Sequence, residues 1–214
     1  PAPAQGGYSV ARALGQDASL AGFERATAPR AFRFPDDHGP HPGYRTEWWY
    51  YTGNLRDDGG RRYGYQLTFF RVGLAPAPVS GRSSFRADAL WMAHFALTDV
   101  AGDRFHAHER FARGAAGLAG AQAMPYAVWL EGWRAETAGG GRTRLVARAG
   151  EVALDLVLAP VKPPVLQGEA GLSRKSAEHG NASYYYSMPR LATTGTLVVG
   201  GAPVGVTGTS WLDR

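Results

Sequence analysis

From Thr46 onward the chain is cut into strand-length segments by closely spaced turns, and no segment of helical period lies between them. "RDDGG" at 56–60 reads as a hairpin turn, since Asp and Gly tolerate the positive φ that tight hairpins need. "DVAGD", "ETAGGG", "RAGE" and "VGGAP" punctuate the rest. The segments they bound are strand candidates at 46–55, 62–72, 89–99, 104–111, 127–135, 143–149, 152–159, 183–189, 194–199 and 204–212. Short strands at such spacing predict an all-β, antiparallel sandwich or up-and-down barrel and argue against a βαβ fold. Two stretches, 114–120 and 163–180, read as long loops, which in compact domains are often functional.

The first strand carries an unusual load. "YRTEWWYYTG" places Trp48, Trp49, Tyr50 and Tyr51 in succession, with Glu47 against them. Side chains alternate faces along a strand, so the rings cannot form one stripe. Trp48, Tyr50 and Thr52 share one face; Glu47, Trp49, Tyr51 and Gly53 share the other. A barrel wall explains rings on both faces: one set lines the interior and the other meets loops or another domain. In the returning strand Tyr63, Tyr65, Leu67 and Phe69 share a face opposite Gly64, Gln66, Thr68 and Phe70.

Composition narrows the classes. With 214 residues and 44% hydrophobic content there is ample material for a core. The absence of cysteine excludes disulfides, thiolate metal sites and a cysteine nucleophile. The net charge of +5 comes from scattered arginines, with Lys162 and Lys175 the only lysines, so no basic run marks a nucleic-acid partner. No apolar run approaches the length of a membrane helix. The small, polar leader "PAPAQGG" fits an exported protein whose signal has been removed, and a periplasmic or secreted location is expected. Residues 1–33 read as an irregular arm, with some helical character over 11–21 and a start signal at Asp17, and 34–214 as the barrel domain.

Several blocks resemble a known family. "HPGYRTEWWYYTGNL", "YGYQLTFFR", "WMAHFALTD", "ERFARGAAGLAGA", "PPVLQGEAGLSRKS", "ASYYYSMPRL" and "VTGTSWLDR" are similar, in order, to the AttH/carotenoid 1,2-hydratase-like family from about Phe34 to the end. The resemblance implies a lipocalin-like β-barrel, in a tandem of two in the longer members. On it, 34–214 is the N-terminal barrel, and contact with a second barrel beyond Arg214 is expected. It also implies several chemistries: hydration of an isolated double bond, hydration of prenyl groups, guided cycloaddition, and hydrolysis as a bare label. Fold alone does not choose among them.

The residues offer candidates for acid-catalysed hydration. Protonating an unactivated alkene needs an acid kept neutral by apolar surroundings and rings to stabilise the cation. Asp213 shares a strand face with Trp211 and is the first candidate; alternatively it pairs with Arg214 or another arginine. Glu47 is a second acid or base if its face looks inward, and otherwise an ion-pair partner for Arg45, Arg71 or Arg190. His94, opposite Trp91 in strand parity, is either a proton relay or a wall residue. Ligand-contacting candidates are Trp49, Tyr51, Tyr65, Gln66, Trp91, Tyr185 and Trp211, with at least one of Tyr184, Tyr185 and Tyr186 offering a phenol to a cavity. His106 with His108, and His38 with His41, lack the further ligands a metal needs and read as structural or surface pairs. No Gly-x-Ser-x-Gly elbow, phosphate loop or dinucleotide fingerprint occurs, so no cofactor is expected. The expected partner is a small apolar molecule, isoprenoid or lipid-like, either hydrated, carried unchanged, or held in shape for a pericyclic step.

Overall fold

The computed structural model describes residues 21–76 and 87–214. The leader, the start signal at Asp17 and nearly all of the helical expectation at 11–21 lie outside those residues. Among the described residues there are fourteen strands: β1 (Thr46–Arg56), β2 (Arg62–Gly73), β3 (Ala89–Asp99), β4 (Arg104–Arg113), β5 (Ala119–Gln122), β6 (Ala127–Leu130), β7 (Trp133–Thr137), β8 (Thr143–Ala149), β9 (Val152–Pro160), β10 (Val165–Leu166), β11 (Leu172–Arg174), β12 (Ala182–Tyr184), β13 (Tyr186–Val199) and β14 (Ala202–Asp213).

Eleven of them follow one antiparallel path, β4-β3-β2-β1-β14-β13-β9-β8-β7-β6-β5. The first and last strands pair, Tyr51 against Leu212 and Gly53 against Ser210, and so join the two halves of the meander. The one break in the ring falls between β4 and β5, neighbours in sequence. There the sheet curls until Arg110 of β4 reaches Glu131 of the β6–β7 turn at 3.0 Å and lies over the Trp133 ring at 4.4 Å. The result is a nearly closed, lipocalin-like up-and-down barrel.

Strand parity decides what faces in. On β1 the buried set is Glu47, Trp49, Tyr51 and Leu55, with Gly53 among them, while Trp48, Tyr50 and Thr52 are only half-buried. Gly53 keeps that face passable, because a Cβ there would meet the Ser210 hydroxyl and the Tyr65 ring at about 2.5 Å. Tyr63, Tyr65, Leu67 and Phe69 of β2 and Trp91, Ala93, Phe95 and Leu97 of β3 complete this side of the interior. Trp49 stacks on Trp91 with centroids 5.9 Å apart, and Phe95 meets Trp133 edge-on at 5.7 Å. The middle of the barrel is therefore packed core rather than a channel.

Two strand expectations are corrected. The segment 127–135 is a hairpin, β6 and β7, because Glu131 takes a φ of 53° and lets Leu130 pair directly with Trp133. Conversely 183–189 and 194–199 largely merge in β13, which crosses Pro189 by shifting register between Met188 and Leu191. Proline has no N–H for the ladder and is tolerated at such an irregularity. The expected loops at 114–120 and 163–180 also hold short strands, the start of β5 in the first and β10 and β11 in the second.

One end of the barrel is covered by the segment before β1. Glu24 N–H donates to the Gly43 carbonyl, and the 3-10 turn Asp36–His38 sits over the opening. Phe32, Phe34 and His38 all pack against the Tyr186 ring, at 5.9, 4.9 and 5.7 Å.

Candidate functional site

Beneath that cover lies a cavity of about 350 Å³. Its apolar lining comes mainly from Pro35, Trp49, Met124, Met188 and Leu212, and its polar groups are His38, Tyr51, Tyr126 and Tyr186, with Thr137, Arg142 and Thr143 also bordering it. The volume falls at the lower end of small-molecule pockets, and an apolar lining with a few convergent polar groups is their usual make-up.

The histidine and the three tyrosines form two pairs. His38 Nδ1 lies 2.6 Å from the Tyr186 hydroxyl, and the Tyr51 and Tyr126 hydroxyls are 2.7 Å apart. His38 is held in place by its own carbonyl, which accepts from Trp49 Nε1 at 2.9 Å. Burial pushes the three phenols up, so all are neutral donors at physiological pH. Burial, reinforced by the Arg214 charge, lowers His38 to about 4 and keeps its imidazole neutral.

Behind Trp49 and Tyr186 is an ionic cluster. Glu47, 3% exposed, accepts from Arg214 Nη2 at 2.8 Å, the His41 backbone N–H at 2.7 Å and Arg71 Nη1 at 3.4 Å. Asp37 accepts from Arg30 Nη2 at 2.5 Å and lies 2.9 Å from His41 Nε2. Arg214 stacks on the Trp49 ring at 4.1 Å and donates to the Gly39 carbonyl, which ties the last residue of β14's run to the covering segment. Burial alone would raise both carboxylates. It is outweighed for Glu47 by the His41 bonds and Arg214, and for Asp37 by the bonds from Arg30, Arg33 and His41, leaving each at about 2. Glu47 thus looks inward but is ionised and braced.

These shifts have a consequence for stability. His38, Asp37 and Glu47 all take up their protons at higher pH when unfolded than when folded. The stability they contribute is present at neutral pH and is lost as pH falls, first between 6.5 and about 4 through His38, then toward about 2 through the carboxylates. Urea midpoints are expected to decline on acidification below 6.5, and His38→Gln to flatten the part of the profile above 4. A wild-type profile flat over that interval would contradict the burial of His38.

The remaining candidates separate cleanly. Trp49 and Tyr51 line the cavity. Tyr65 and Trp91 are interior but belong to the packed core, Tyr65 donating to Ser210 Oγ at 2.7 Å. His94 and Gln66 point out of the barrel; His94 meets the Phe70 ring at 5.7 Å, and Gln66 donates to Thr68 Oγ1 at 3.2 Å. Asp213, Trp211 and Tyr185 come together on the outer face. Asp213 Oδ1 accepts from Ser187 Oγ at 2.5 Å and from Trp211 Nε1 at 2.6 Å, and the Tyr185 side chain bonds Ser187 and Asp213. Gln167 Nε2 donates to Ser187 at 3.0 Å, and the Tyr185 ring meets Trp48 edge-on at 6.0 Å. No ion pair to Asp213 occurs among the described residues. A sheet wall divides this cluster from the cavity: Leu212 faces in and Asp213 faces out. Of the three adjacent tyrosines it is Tyr186 that offers its phenol to the cavity, whereas His38, Tyr126 and Arg214 sit in turns or beyond a strand end, where parity gives no direction.

The sequence model of the AttH-like family matches residues 25–214. Among solved structures, an AttH protein from Nitrosomonas europaea is similar at 37% identity over 87% of this chain and 57% of its own, with a TM-score of 0.76. Kievitone hydratase from Nectria haematococca shares the fold with a TM-score of 0.65 at 12% identity, over 90% of this chain and 54% of its own. The chain thus spans little more than half the length of either. No curated protein matches it.

Proposed function

The chain belongs to the AttH-like family, and on that premise we propose that its barrel binds a small, mainly apolar molecule, isoprenoid or lipid-like, in the cavity beneath the Asp36–His38 turn. The observation that carries this reading is the cavity itself: about 350 Å³ of apolar space at the end of an otherwise filled barrel, with two hydrogen-bonded polar pairs facing it. Trp49 on the cavity wall supplies a signal. Titration with methyl decanoate, an uncharged probe, is expected to change tryptophan fluorescence saturably. Leu212→Trp, which places an indole in the space, should weaken binding by about tenfold or more, since it exchanges apolar ligand contacts for overpacking. Equal affinity in the variant would place the ligand elsewhere.

Hydration of a C=C bond is the second reading, and Asp213 favours it. The cavity's own groups are phenols, a neutral imidazole, threonine hydroxyls and a guanidinium, all too weak as acids to protonate an unactivated alkene, and its neighbouring carboxylates are locked in ion pairs. Among the described residues Asp213 is held by neutral donors alone, beside rings of Trp211, Tyr185 and Trp48 that can stabilise a developing cation. Trp211 is 37% exposed, and a further domain seated over it would dry the carboxylate and complete the site. The similarity to a protein named kievitone hydratase is consistent with that chemistry without assigning its substrate. In water enriched in heavy oxygen, a polyene substrate incubated with the full-length protein should gain label, and Asp213→Asn should abolish the gain while leaving thermal stability within about 1 kcal/mol of wild type. Label gained equally by the variant would remove Asp213 from the reaction.

A further inference from the structure

The ionic cluster behind the cavity's polar end holds one more guanidinium than carboxylate. Three guanidinium groups, Arg30, Arg71 and Arg214, face two carboxylates, Asp37 and Glu47, in the cluster behind Trp49 and Tyr186. Arg71, Arg214, Asp37 and Glu47 are each less than 9% exposed and balance one another, and the third guanidinium, Arg30, is partly exposed at the cluster's edge. Arg214 is also short of an acceptor. Its Nη2 serves the Gly39 carbonyl, His41 Nδ1 and Glu47, but its buried Nε has no hydrogen-bond partner among the described residues. A buried donor of this kind costs free energy until something accepts from it.

The positive end is electrically continuous with the cavity. Arg214 lies flat against Trp49, a cavity-wall residue, and its charge bears on His38, Tyr126 and Tyr186, opposing protonation of the imidazole and easing ionisation of the phenols. A smaller space of about 80 Å³ borders Arg30, His41, Glu47, Tyr186 and Arg214, and Tyr186 lines both it and the main cavity. At this end, then, stand neutral phenol donors with the Arg214 guanidinium behind them, while Met124, Met188, Leu212 and Pro35 supply apolar lining and Thr137, Arg142 and Thr143 also border the space. A neutral ester or alcohol uses the apolar wall but leaves the cluster's extra positive charge unanswered. A carboxylate brings one negative charge toward it and accepts several hydrogen bonds from the phenols.

We propose that the ligand of this cavity is an amphiphile with a carboxylate head, its apolar body against Met188 and Leu212 and its head at the Tyr186–His38 end toward Arg214. This rests on the reading that the cavity binds an apolar molecule. The test compares decanoate, decanol and methyl decanoate on the full chain at mildly alkaline pH, by calorimetry and by tryptophan fluorescence. Decanoate should bind about tenfold or more tighter than the other two, the difference that hydrogen bonds to a charged group typically make. Tyr186→Phe and Tyr126→Phe keep the shape of the wall and remove one hydroxyl each; they should lower decanoate affinity by a larger factor than methyl decanoate affinity, because the charged head depends more on each donor. Arg214→Gln, if it folds, should abolish the preference for decanoate. Equal affinities for all three probes, or tighter binding of the ester, would overturn the carboxylate proposal and leave the apolar reading standing. Binding of none of them would overturn both.

Discussion

Glu47→Ala is expected to lower the unfolding free energy by roughly 3–5 kcal/mol. The residue is buried at the centre of a cluster in which Arg71 and Arg214 both point at its carboxylate. Removing it leaves two guanidinium groups in the interior with no side-chain anion of their own, and breaking a buried pair from one side is costly for that reason. Single domains are commonly stable by about 5–15 kcal/mol, so a substantial part of the total is at stake. Glu47→Gln keeps the shape and one acceptor and should lose less. Urea denaturation measures both. If instead Glu47 served only as a catalytic acid, the alanine variant would keep the wild-type midpoint and lose turnover alone.

Trp49→Ala should cost a similar amount, about 3–5 kcal/mol, from apolar area lost and the void left behind. Its indole has four jobs that alanine cannot do. It stacks on Trp91, carries Arg214 on its face, donates to the His38 carbonyl and forms part of the cavity wall. The loss should therefore exceed that of Trp91→Ala, which keeps Arg214 and the covering turn in place. Thermal unfolding of the two variants side by side reads the difference. Equal losses would mean that Trp49 acts as simple core and does not anchor the turn over the cavity.

The wall of the barrel was readable from the chain because strand parity is a rigid rule. Glu47, Trp49 and Tyr51 share the inner face of β1 for the same geometric reason that Trp48 and Tyr50 share the outer one. The strands at 89–99 and 143–149 stand where composition and turn signals put them. What escaped is equally physical. The Glu131–Gly132 turn needs a positive φ at a glutamate, which no residue preference announces. The irregularity at Pro189 looks like a strand end until a neighbour accommodates it. The fate of Asp213 was open for another reason. Parity joined it to Trp211, but only the closed ring says that this pair faces outward while Leu212 faces the cavity. His38 escaped most completely: in "FPDDHGPHPGY" it is one histidine in a run of turn residues, and only the fold of the segment over the barrel end brings it to Tyr186.

The central claim is that the ligand sits inside the barrel, on the opposite side of the sheet wall from Asp213. The most direct test is a crystal structure of the protein grown with methyl decanoate, the probe that requires no charged head. The predicted result is density for one molecule between Trp49, Tyr126, Met188 and Leu212, with the Trp211–Asp213 face free of it. Density against Trp211 and Tyr185 on the outer face, with the interior cavity empty, would contradict the account.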